Sequence, residues 1–315
     1  MMKGRTRVLG ALVTALALPT AGALAQDGIP VRIGAVPISG HLDVYTAETL
    51  GYFDEEGLDV EIVQVRSGAE AQAAVIAGDL NFIGVNGISM IFGLHEGFEF
   101  VVGADGFRAP SEPPGTSAIV VRADGGISEP ADLEGQRLGI VTRRGLHELY
   151  LVMWAEENDV DLSTITFIEV GYGQMIDALV AEQVDAVIPL EPIITAGVQS
   201  GRVEVLSFYD TEVDPGHANG LWVGMRDWAE ENPDAMNGFQ NAVNRAHTFL
   251  NENPEERARL TVEWTNQTPE MVAAAAEDEF TTELPIESVQ WQADRMHELG
   301  WIENAVDVSG AFWVQ

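Results

Sequence analysis

The sequence predicts an α/β fold with two lobes, each a mainly parallel sheet flanked by helices, and three observations carry the expectation. Short apolar runs bounded by Gly, Asp and Asn alternate with helix-like segments between residues 31 and 87. The same alternation returns, without close sequence identity, between residues 137 and 190. A stretch crowded with proline and glycine, residues 106–115, separates the two units. Strands alternating with helices imply parallel neighbours, because a parallel pair needs a long crossover connection. Any α/β chain has such a rhythm, so a single larger sheet remains the competing arrangement at this point. Two similar units facing each other would leave a cleft between them.

Residues 1–25 stand apart from this pattern. Lys3, Arg5 and Arg7 precede an apolar run over residues 8–18, and Ala23-Leu24-Ala25 has the small-x-small form of a signal-peptidase site. The run is too short to span a bilayer, which takes about 20 residues. The expectation is an exported, soluble mature chain beginning at Gln26.

The first unit has strands at 31–36, 60–65 and 82–85. Ligands of parallel sheets bind at the carboxyl ends of strands. Those ends carry Ser39, Gly40 and His41, then Ser67 and Gly68, then Asn86 and Gly87. Such small polar turns either cap helices or let a ligand approach backbone N–H groups. A helix at 88–94, a strand at 98–103 and the 106–115 loop follow, and residues 107–125 read as the first passage between lobes.

The second unit has strands at 137–141, 166–170 and 186–190 with helices at 145–158 and 174–182. Its strand ends present Arg143 and Arg144, then Tyr172 and Gly173, then Glu191. Two adjacent arginines at a helix start suit an anion, or they pair with carboxylates such as Glu148. Glu191 is placed to accept N–H bonds from a ligand or from its own turn. A strand at 203–208 and a polar connection at 209–220 lead back to the first lobe through residues 221–225. The last third reads as helices at 233–250, 254–264, 269–277 and 285–299, each beginning near a proline. Trp264, Trp291 and Met296 are expected in the core, and the aromatic tail 300–315 is expected to dock. Lobe 1 is then 26–115 with 222–315, and lobe 2 is 116–221.

The run from Pro37 through His41, Tyr45 and Gly51-Tyr52-Phe53 to Glu56-Gly57-Leu58-Asp59-Val60-Glu61 resembles the first lobe of type II periplasmic solute-binding proteins of ABC importers, in the nitrate, sulfonate and thiamine-pyrimidine group. The segments from Asp132 to Val141 and from Gln183 to Val187 extend the likeness into the second unit and favour two lobes over one sheet. The resemblance implies a binding protein that closes on one small solute and presents it to an inner-membrane ABC permease. The Pro37, His41, Tyr45 spacing is closest to the branch that binds the pyrimidine precursor of thiamine. His147 stands where the sulfonate branch often has Gly-Ser-x-x-His, but the Ser is absent here. A nitrogen heterocycle is therefore the favoured solute, with His41 and Tyr45 facing Tyr172 and Glu191. An oxyanion held by Arg143 and Arg144 is the alternative, and an enzyme acting in the same cleft is the alternative of another class.

Composition narrows the chemistry. The net charge of −34 makes nucleic acid an implausible partner and disfavours self-association, so a monomer is expected. The acids are spread along the chain, as on a solvated face. There is no cysteine, hence no disulfide, thiol nucleophile or lipidated cysteine, and a free periplasmic protein fits best. The one lysine, Lys3, lies in the leader, so a Schiff base to pyridoxal phosphate, a P-loop and a lysine base are impossible in the mature chain. The His-Glu pairs at His95, His147 and His297 lack the second histidine of HExxH, and no G-x-S-x-G elbow occurs. Neither metal nor cofactor is expected.

Overall fold

The computed structural model describes residues 28–65 and 68–314, with the side chains of 68 and 69 left aside. The leader, Ser67 and Gln315 lie outside the described residues. Two five-stranded sheets form the two lobes. The first has the order β2-β1-β3-β10-β4, with β1 at Ile29–Ala35, β2 at Leu58–Gln64, β3 at Phe82–Val85, β4 at Phe100–Asp105 and β10 at Leu221–Met225. The second has the order β7-β6-β8-β5-β9, with β5 at Ile119–Arg122, β6 at Arg137–Ile140, β7 at Thr166–Glu169, β8 at Ala186–Val187 and β9 at Val203–Ser207.

In each sheet the strand that arrives from the other lobe runs antiparallel. β1 pairs in parallel with β2, from Ile29 opposite Leu58 to Ala35 opposite Gln64, and in parallel with β3. β10 is inserted antiparallel between β3 and β4. β5 sits in the same way between β8 and β9. Each sheet thus borrows one strand from the far side of a crossing, which ties the lobes together topologically.

The two crossings pair with each other. Arg108 bridges Ala218, and Gly106, Phe107 and Ala109 donate to the carbonyls of Gly220 and His217. Arg108 also exchanges both backbone hydrogen bonds with Glu279, so a third extended segment lies alongside. Close approach explains the glycines here: a Cβ on Gly106 would lie 2.8 Å from the Gly220 backbone, and one on Gly220 would lie 2.2 Å from the Phe107 ring.

The C-terminal helices cover the first sheet. Pro233–Glu252, Pro254–Thr265 and Pro269–Ala274 each place proline at the first turn, where the missing N–H costs nothing. Phe239 stacks on Phe82 with centroids 3.7 Å apart, and Met236, Ala242 and Val243 are fully buried beside it. Inside this core Asp43 takes the Trp222 indole N–H at 2.7 Å and His247 Nε2 at 3.0 Å, joining helix Leu42–Thr49, β10 and helix Pro233–Glu252. Trp264 and Met296 are buried and Trp291 is half-buried. The tail docks through a bridge between Phe312 and Val102.

Candidate functional site

The turns after β1 and β8 meet at the junction of the lobes, where Ser39, Glu191 and Pro192 line one pocket, and the local sequence decides what each strand end offers. After β1, Ser39 donates its hydroxyl to Asp278 at 2.9 Å, and Thr116, at the start of the second lobe, donates to the other Asp278 oxygen at 2.9 Å. Asp278 is 4% exposed, and burial pushes its carboxyl up to about 6. Gly40 is required by the Phe107 ring, which an added Cβ would meet at 2.6 Å.

His41 is turned inward. Val36 N–H donates to its Nδ1 at 3.0 Å, its ring centroid is 4.8 Å from that of Trp222, and burial lowers it to about 4, so it is a neutral support beneath the loop. Tyr45 stacks on Trp264 at 5.1 Å, and the Trp264 indole donates to the Ile38 carbonyl at 3.0 Å. The expected stacking face of Tyr45 is thereby engaged by protein. Gly68 opens helix Gly68–Ile76. Asn86 caps helix Gly87–His95 by accepting from Ser89 N–H at 2.9 Å. Gly87 lies against Gln292 Oε1, which an added Cβ would meet at 2.0 Å.

In the second lobe Arg143 forks onto Glu148 with contacts of 2.9 and 2.7 Å, and its guanidinium lies 4.2 Å from the centre of the Phe167 ring. Arg144, at φ 54°, gives its backbone N–H to the same carboxylate, while its side chain is exposed. Glu148 is buried, so the Arg143 charge is committed to it. Glu191 accepts from the Thr195 hydroxyl at 2.9 Å, from Thr195 N–H at 3.1 Å and, across the junction, from Ala276 N–H at 3.5 Å. It caps its own turn, and burial raises its pKa. Gly173 is exposed with open space where a Cβ would be.

His147 and Tyr172 do meet. The Tyr172 hydroxyl is 2.8 Å from His147 Nε2, and the Tyr209 hydroxyl is 2.8 Å from Nδ1. Ser117 is 3.1 Å from the Tyr209 hydroxyl and 3.4 Å from Nδ1. Burial, with a smaller contribution from His217, lowers His147 to about 4. The ring is neutral, so one nitrogen donates and the other accepts. Ser117 at 3.4 Å is not an activated nucleophile, because Tyr209 holds the nearer position on that nitrogen.

Sequence reasoning passed over the wall behind this chain. Asp210, His217, Asn219, Tyr150 and Gln292 are buried together, and Tyr150 and His217 have ring centroids 3.9 Å apart. Gln292 donates to the Tyr150 hydroxyl at 3.2 Å and to Ala218 O at 3.0 Å, linking helix Ile286–Glu298 to the second lobe and the crossing. The available signal was the polar run 209–220, read only as a connection. Asp278 gave no local signal, since it meets Thr116 from 162 residues away.

In net, the junction offers carboxyls, neutral imidazoles and phenols. Arg257, beside Ser39 and Glu191, is held by Glu277 at 3.3 Å and by the Asp278 carbonyl. Among the described residues no group of His, Asp and Glu is arranged to hold a metal ion, and no helix is long and apolar enough to cross a membrane.

Comparison with known proteins gives consistent likenesses. A family model described as NMT1/THI5 like matches residues 38–257. A protein of Brucella abortus (strain 2308), known by the provisional name of binding protein, is 25% identical over 266 residues, covering 84% of this chain and 79% of that protein. Among solved structures, the periplasmic aliphatic sulphonate binding protein SsuA of Escherichia coli has a TM-score of 0.76 at 17% identity, over 90% of this chain and 97% of that one. The periplasmic nitrate-binding protein NrtA of Synechocystis PCC 6803 has a TM-score of 0.73 at 15% identity, over 90% and 85%.

Proposed function

Because the chain belongs to the NMT1/THI5-like family, we propose that it is a periplasmic solute-binding protein that delivers a small organic solute to an inner-membrane ABC permease and does no chemistry on it. The lobes, 26–115 with 222–315 and 116–221, close on the solute, with the paired crossings as hinge. The protein works as a monomer, freed of its leader after Ala25. Solved relatives of the same fold with sulphonate- and nitrate-binding names support the binding role. Export is supported by the charge and apolar pattern of residues 1–25.

The solute is a nitrogen heterocycle or related N–H donor. One observation carries this choice: Arg143 is spent on the buried Glu148, whereas the groups gathered between the lobes are the Asp278 carboxyl, bonded to Ser39 and Thr116, and the neutral His147–Tyr172 pair. An oxyanion entering here would meet carboxylates first. Thermal unfolding with candidate solutes tests the reading, since a ligand at 100 times its Kd adds about 2.7 kcal/mol. Aminopyrimidines are expected to raise the midpoint. Shifts by alkyl sulfonates or aromatic carboxylates alone would instead support the oxyanion reading. Recovery of the bound solute unchanged after long incubation separates a carrier from an enzyme.

A further inference from the structure

Resting on that reading, we propose that Asp210 and His217 form the part of the site that grips a nitrogen group carrying at least two N–H bonds, such as a primary ammonium, an amidinium or a ring amino group. His217 is fixed in one tautomer. His217 Nδ1 lies 2.8 Å from the Asp214 carbonyl oxygen, which can only accept, so Nδ1 carries a proton. Burial lowers His217 to about 4, so the ring is neutral and Nε2 presents a bare lone pair. No group meets Nε2 in good hydrogen-bonding geometry, although His217 is only 2% exposed; the Asn219 side chain comes close enough to the ring to act on it.

Nε2 faces Asp210 Oδ2 at 4.0 Å. Asp210 is also 2% exposed, and its Oδ1 takes the Thr211 N–H at 2.8 Å. Two acceptors 4.0 Å apart are too distant to share a proton directly. A nitrogen at hydrogen-bonding distance from both, about 2.9 Å, would sit at the apex of a triangle with an angle of about 90°, near the opening between two N–H bonds of an amino or ammonium group. A single O–H cannot serve both acceptors.

The surroundings favour the same ligand. Tyr150 packs its ring on His217 at 3.9 Å and spends its hydroxyl proton on Asp214 at 3.2 Å. Asn219 and His147 also face the His217 ring, and Asp278 faces Asp210 with like charge. The Thr211 side chain is buried beside the Asp210 carboxylate. Burial, opposed by the Thr211 N–H, lifts Asp210 to about 7, so a bound cation would draw a proton off this carboxyl. His217 belongs to the second crossing, where its carbonyl accepts from Ala109 N–H, so the pair lies at the hinge side of the cleft.

The test uses the mature chain with matched probes: 4-aminopyrimidine against pyrimidin-4-one, and benzamidine against N,N-dimethylbenzamide, which carries no N–H bond. The amino and amidine members are expected to bind, with Asp210→Asn and His217→Leu each losing at least tenfold in affinity while unfolding at midpoints close to the wild type without probe. Should the variants fail to fold, the wild type decides by itself. Its affinity for benzamidine, charged throughout, falls as pH drops from 8 to 5.5, and calorimetry in two buffers shows proton release at pH 6. Probe binding that both variants leave within twofold, or that is independent of pH and buffer, overturns the assignment while leaving the carrier reading standing; a shared water between the two residues gives that result. Binding of oxyanions alone, untouched by the variants, does the same. If neither these probes nor any oxyanion binds, the carrier reading itself fails.

Discussion

Arg143 is the residue at which two sequence-based possibilities, anion ligand or ion-pair partner, meet a geometric answer. Its fork onto Glu148 has one half-exposed partner, at 48%, and one buried, at 7%. Removing the cation leaves a buried carboxylate unpaired, so Arg143→Gln is expected to cost about 1–3 kcal/mol, solvent screening on the arginine side keeping it below the value for a fully buried pair. Urea unfolding without any solute measures this; an unchanged midpoint would mean that the pair contributes nothing. Asp278 makes a pH prediction. Its pKa rises from 3.8 to about 6 in the fold, so its contribution is full at low pH and is lost as pH rises through about 6. Relative to the wild type, Asp278→Asn is therefore expected to gain on the order of 1–3 kcal/mol between pH 4 and pH 7, whatever the difference at pH 4. His147 runs the other way: neutral in the fold, it contributes above about 6.5 and loses that contribution as pH falls towards 4. A stability difference for Asp278→Asn that is flat with pH would contradict the burial of that carboxyl. At this scale the sequence supplied residue types and left their partners open. Glu148 was in view as a neighbour of Arg143, but nothing local marked Asp278 or Asp210.

Elements were more legible than residues, for a physical reason. Strand and helix runs are set by local periodicity, and the helices after Pro233, Pro254, Pro269 and Pro285 start where proline costs nothing. The return strand at residues 221–225 was also readable, as an apolar run after a polar connection. Its antiparallel insertion between β3 and β4 was not, because the neighbours of a strand are fixed by long-range register. The crossing is the element most open to test. Gly220→Ala would bring a methyl group to 2.2 Å from the Phe107 ring, so either that ring or the paired segments must shift. The expected loss is about 1–3 kcal/mol, the cost of overpacking, with a broader distribution of lobe angles in small-angle scattering. Unchanged stability and scattering would show that Phe107 can rotate away freely.

Across the whole molecule, the net charge of −34 and the absence of cysteine favour a dispersed single chain. Light scattering on the mature protein is expected to give one monomeric species at physiological salt; a stable dimer would overturn that. The lobes are also linked outside the hinge, by Arg295 with Glu156 and by Thr195 with the Ala274 carbonyl. The hinge itself contains three extended segments, one of them the stretch that leads into helix Ile286–Glu298. Arg108 holds that stretch twice more, through Glu283 O at 2.7 Å and through Asp105, which also receives the Thr281 hydroxyl. In mechanical terms the helix is a crank fixed to the axle it turns. If the lobes turn about these segments as proposed, a load on the outer face of that helix reaches the axis through only a few peptide units.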